Sequence, residues 1–148
     1  EGREPVTTPQ REVRIDLPVD AHLPETYVGD QELRLEAYRR LATTTTEEEV
    51  NDVAAEWVDR FGPLPPAAEA LVSLARLRVE ALRVGLDELV QLRHEIRMGP
   101  VDLKPSQEVR LKRLQPRSVL NAQDGQIFIP APRDLVPSLI EFLEEMWE

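Results

Sequence analysis

Residues 46–66, TEEEVNDVAAEWVDRFGPLPP, decide how the chain is read. Thr46 and Glu49 stand at the spacing of a capping box, which makes Thr46 the expected N-cap of a helix. Glu47, Glu48 and Glu49 fill its first turn, where carboxylates meet the positive end of the helix dipole. Val50, Val53, Ala54, Trp57, Val58 and Phe61 then fall at i, i+3, i+4, i+7, i+8 and i+11, an apolar stripe along one side. Glu49, Asp52, Glu56 and Asp59 advance along the opposite side. Gly62 ends the helix, Pro63 forbids its continuation, and Pro66 opens another. The stretch therefore predicts a helix with a buried face, an acidic face and a hard turn after it.

Upstream, residues 1–12 are polar with two prolines and read as a linker or a cut end of a longer chain, leaving 13–148 as one domain. Apolar residues alternate at Val13, Ile15, Leu17, Val19 and Ala21, the period of a half-buried strand. Pro18 lacks an amide donor and marks that strand as an edge. A helix follows over about 31–42, with Leu33, Ala37, Tyr38 and Leu41 on one face. Downstream, 66–84 is apolar on most sides and reads as the central helix of the core, closed by Gly85. Two short strands follow in LDELVQL and HEIRMGPVDL, then a short basic helix over about 105–115. VLNAQDGQIFIP reads as a hairpin turning at Asp124-Gly125, and a last amphipathic helix is capped by Asp134. Strands and helices do not alternate regularly, so the expected fold is α+β: one compact domain, with a small, largely antiparallel sheet packed against about five helices.

Composition narrows function by exclusion. The net charge of −10 opposes nonspecific binding to nucleic acid or an anionic membrane and suits docking on a basic protein patch. With no cysteine there is neither a disulfide frame nor a thiolate metal site, which fits a cytoplasmic location. No run of residues is apolar enough to span a membrane. Phosphate loops, dinucleotide fingerprints, nucleophile elbows and calcium-loop spacings are all missing. His22 and His94 lie far apart in sequence. The reading thus assigns no catalytic residue, no metal and no cofactor. One basic cluster stands against the overall charge: Lys104, Arg110, Lys112, Arg113 and Arg117, against the single acid Glu108. It carries the alternative reading, a nucleic-acid-binding accessory module, although no aromatic residue is interleaved for base stacking. The structural expectation for these bases is pairing with acidic helices of the same domain. A third reading, an enzyme, needs a cleft joining Glu56 or Asp59 to a histidine.

LRLEAYRRLA, followed by EEEVNDVAAEWVDRFGPLPPAAEALVSLARLRVEALRVGL, resembles the C-terminal domain of the bacterial transcription-repair coupling factor family (Mfd). IDLPVDAHLPETYV is similar to that domain's opening strand and bridge. The ordered series RLEAYRRLA, DRFGPLP and LARLR makes the resemblance specific, and it covers about residues 13–86. It implies a regulatory clamp within a much larger ATP-driven DNA translocase that finds stalled RNA polymerase and recruits the excision-repair protein UvrA. The clamp is expected to pack on the N-terminal UvrB-like module of the same protein. Packed there, it masks the UvrA-binding surface and restrains the motor until polymerase is engaged. The resemblance assigns Glu56 and Asp59 to contacts with arginines of that module. Glu49 and Asp52 join them by helical geometry alone. Trp57, Phe61, Gly62 and Pro63 are the expected structural residues that hold the acidic face in place.

Overall fold

The computed structural model describes residues 12–148, so the expected linker over 1–12 lies, apart from Glu12, outside the described residues. The elements run β1 (Arg14–Asp16), α1 (Gln31–Ala42), α2 (Glu47–Phe61), α3 (Pro66–Val84), β2 (Glu88–Leu92), β3 (Glu95–Gly99), α4 (Pro105–Leu114), β4 (Val119–Asn121), β5 (Gln126–Pro130) and α5 (Leu135–Met146). This is the expected α+β order of five strands and five helices.

The strands form one sheet in the order β1-β2-β3-β5-β4. Three of its four pairings are antiparallel, while β1 joins β2 in parallel, Ile15 opposite Leu89. β1 is an edge strand, as Pro18 required, but it holds only three residues. The alternation of half-buried and exposed side chains nonetheless runs on from Val13 to Val19.

Two apolar clusters make the core. One joins the inner face of the sheet (Leu89, Ile96, Met98, Ile127, Ile129) to Leu77 and Ala81 of α3, Leu111 of α4 and Leu139, Leu143 and Met146 of α5. The other joins Leu41 of α1 and Val50, Val53 and Trp57 of α2 to Ala68, Val72, Ala75 and Val79 of α3. The central helix expected from its apolar run is therefore shared by both clusters.

Local chemistry explains the boundaries and some departures from expectation. Thr46 caps α2 through its hydroxyl, which accepts from Glu49 N at 3.1 Å. The reciprocal arm closes one residue early: Glu49 Oε1 accepts from Thr45 N (2.7 Å) and Thr45 Oγ1 (3.1 Å). Val58, counted in the apolar stripe, is 45% exposed because it sits at the stripe's margin, two turns beyond Val50. Asp134 occupies the N-cap position of α5, but its side chain makes no capping bond there. The Asp124-Gly125 turn forms as a four-residue loop between Asn121 and Gln126, with Gly125 at φ 65°.

Candidate docking surface

All four acids of the predicted stripe fall on one face of α2, and the rest of the fold fixes that face in direction. Trp57 is 2% exposed and anchors the opposite side of the helix. Gly62, with φ at 97°, makes the turn that ends the helix. A Cβ there would meet nothing within 4 Å, so the requirement for glycine is the backbone conformation and not space. Tyr27 Oη donates to Gly62 O at 2.8 Å, and its ring meets Phe61 edge-on with centroids 5.7 Å apart. Burial raises the Tyr27 phenol above its ordinary pKa. Phe61 is consequently half-buried under Tyr27 and not fully enclosed.

Arginines of α3 tie that helix to α2 and to the end of α1. Arg76 of α3 donates to Asn51 Oδ1 through Nη2 at 2.8 Å. Arg78 of α3 donates to Leu41 O, Thr44 O and Thr44 Oγ1, placing a cation at the C-terminal end of α1, where the helix dipole favours one. Desolvation pulls the Arg78 pKa below its ordinary value.

The four acids differ in what they offer. Glu56 is already occupied: Oε1 accepts from Arg40 Nη1 of α1, and Oε2 lies 3.5 Å from Arg60 Nη1. Arg60 also sits 5.1 Å from the centroid of the Phe61 ring. Glu49 is tied to Thr45, and that backbone bond, followed by the hydroxyl bond, holds its carboxyl below the usual glutamate pKa. Asp52 is exposed and lines a small hollow of about 170 Å³ with Arg40, Thr43, Thr44, Glu49 and Val53. Asp59 is exposed and makes no ion pair among the described residues. A face that reads as four equivalent carboxylates is thus two free aspartates, a glutamate held by two arginines and a glutamate tied to Thr45. Only the intra-helix half of that pairing, Glu56 with Arg60 at i+4, was visible as a spacing. Arg40 comes from another helix.

The remaining candidates settle elsewhere. His22 Nδ1 lies 2.8 Å from Asp20 Oδ1 in the exposed segment after β1, and His94 sits in the β2–β3 turn. Among the described residues neither makes a hydrogen bond or ion pair with Glu56 or Asp59. The basic segment reaches the acidic helix α5 through Arg110, as expected, but makes no ion pair among the described residues. Arg110 donates to Met146 O at the end of α5 (2.9 Å), and Lys112 to Ser118 O (2.6 Å). Both bases meet main-chain carbonyls, and Met146 O is one of the carbonyls that the end of α5 leaves without a helical partner. Glu47, Glu80 and Glu144 gather from three helices, with their oxygens within 4.8 Å of one another. Of the three, Glu80 is paired: Arg83 bonds Glu80 Oε1 at 2.8 Å and also Trp147 O at 2.8 Å, tying α5 to α3. Among the described residues no helix is long and apolar enough to cross a membrane.

The fold and this face define a small α+β domain that presents a charged helical surface on a doubly anchored frame. The family described as the TRCF domain matches residues 17–113, and the chain belongs to that family. It is 42% identical to the transcription-repair-coupling factor of Mycobacterium tuberculosis over 124 residues, which is 83% of this chain and 10% of that protein. With the factor of Escherichia coli K12 it shares 39% over 92 residues, 60% of this chain and 8% of that one. The chain thus spans about a tenth of the length of the curated relatives it matches. A solved structure described as the C-terminal domain of transcription-repair coupling factor superposes with a TM-score of 0.80 at 16% identity, covering 91% of each chain. That structure carries the same fold.

Proposed function

We propose that this chain is the C-terminal regulatory domain of a transcription-repair coupling factor of the cytoplasm, acting as a docking module in transcription-coupled DNA repair. It packs through the acidic face of α2 on arginines of the N-terminal UvrB-like module of the same protein. In that position it masks the UvrA-binding surface and restrains the DNA translocase until stalled RNA polymerase is engaged. The observation that carries this reading is the rigid acidic face itself: Asp52 and Asp59 stand exposed on a helix whose other side is fixed by Trp57 and whose end is held by Tyr27. Exposed charge pairs contribute about 0.2–1 kcal/mol each, so a clasp of several holds and still yields to a competing partner.

The test is a titration of the domain against the N-terminal module at two salt concentrations. Wild type is compared with Asp59→Arg and with Glu56→Arg/Asp59→Arg. Asp59→Arg reads docking with little cost to the fold. Glu56→Arg gathers three cations where Arg40 and Arg60 now share one carboxylate, so its stability is measured beside its binding. The double variant is expected to lose about 2 kcal/mol or more of affinity, roughly thirtyfold, at low salt. Wild-type affinity in both folded variants would overturn the reading.

A further inference from the structure

The basic segment 104–117 takes no part in the docking face on α2. Arg110 and Lys112 are tied to main-chain carbonyls. Lys104, Arg113 and Arg117 are exposed and make no ion pair with another described residue. Beside them stand Val109, 70% exposed, and Val119, 55% exposed, the two most exposed of the large apolar side chains among the described residues. Val109 and Arg113 lie one turn apart on the outer side of α4, opposite the buried Leu111. The bond from Lys112 Nζ to Ser118 O holds Arg117, which precedes Ser118, near the end of α4, and Val119 follows Ser118 on the outer sheet face that it shares with Phe128. β4 is also the edge of the sheet, with a strand partner on one side only.

We propose that this α4–β4 corner is a second docking surface, and that its occupant is an acidic protein segment carrying apolar side chains. Three unpartnered cations call for carboxylates, and two valines left in water call for apolar cover. Nucleic acid fits less well. A phosphate backbone gives the valines nothing, and the aromatic side chain beside Val119, its cross-strand partner Phe128, is half-buried in the sheet. Glu108 lies among the bases, and the net charge of −10 repels an extended polyanion.

The probe is a fluorescein-labelled synthetic peptide of about fifteen residues, in which leucines recur every three or four positions among glutamates. Fluorescence anisotropy follows its binding to the whole domain at low salt and at about 0.3 M. Saturable binding that weakens with salt is expected. Arg113→Glu/Arg117→Glu should weaken it at least about tenfold. Val109→Ser, at an exposed position that leaves folding untouched, should weaken it about threefold, an effect that bare charge attraction would not show. If the double variant fails to fold, Arg113→Gln takes its place with a proportionally smaller loss. Asp59→Arg should still bind the peptide, which separates this corner from the face on α2. Three results would each refute the proposal: no binding of the peptide, indifference to both the arginine and the valine changes, or tighter binding of a labelled DNA duplex through the same arginines.

Discussion

Trp57→Ala removes the largest side chain of the cluster that holds α1 and α2 to α3. At 2% exposure the indole is enclosed, with Leu41, Val53, Ala68 and Val72 in the same cluster. Truncating a buried tryptophan costs about 3–5 kcal/mol, the sum of lost transfer free energy and an unfilled cavity. In a domain of this length each kcal/mol moves the melting midpoint by roughly 2–4 °C, so a fall of about 6–20 °C is expected. The two clusters share α3, which adds a qualitative expectation. The sheet with α5 should outlast the helical layer, so the melt should broaden or split. Thermal denaturation followed by far-ultraviolet circular dichroism, with Trp147 fluorescence as a reporter of α5, separates the two. A midpoint within about 2 °C of wild type would refute the placement of Trp57 at the centre of this layer.

Two smaller changes test the frame of the acidic face. Tyr27→Phe deletes the bond to Gly62 O and should cost about 0.5–1.5 kcal/mol in chemical denaturation, with the ring contact to Phe61 kept. Glu49→Gln probes the depressed carboxyl pKa: the stabilising contribution of the charge is fully present above the ordinary glutamate value and is lost as pH falls through the lowered one. The gap in melting midpoint between wild type and Glu49→Gln should therefore be open near neutrality and close below about pH 4. A gap that is constant with pH would show that the Thr45 bonds do not depend on the charge.

Much of α2 was legible because its determinants are local. Thr46 as cap, Trp57 at mid-stripe and the Gly62-Pro63 stop all act within a few residues, and all three appear where the spacing put them. What the sequence concealed was mostly long-range. Period-two alternation around Ile15 told which side chains face inward, but not that the neighbour is β2 or that it runs parallel. The acid spacing placed Glu56 on the stripe, yet Arg40 reaches it from another helix, and no periodicity within α2 registers that. The same holds for Glu47, Glu80 and Glu144, which come together only once α2, α3 and α5 have packed. Competition between near-equivalent partners accounts for the rest. Glu49 found Thr45 ahead of the amide of Thr46, and Arg110 and Lys112 found carbonyls before carboxylates.

The parallel pairing of β1 with β2 has a kinetic consequence. Strands β2, β3, β5 and β4 are joined by short connections or by one helix, so most of the sheet can assemble from near neighbours. β1 must wait: Arg14 meets Glu88 only after α1, α2 and α3 have been laid down between them. Closing that long loop costs entropy before any ladder bond repays it, and only three residue pairs do the repaying. The N-terminal strand should thus be the last piece to lock during folding and the first to let go. In hydrogen exchange its amides should open by a partial, low-energy excursion that leaves the antiparallel strands closed.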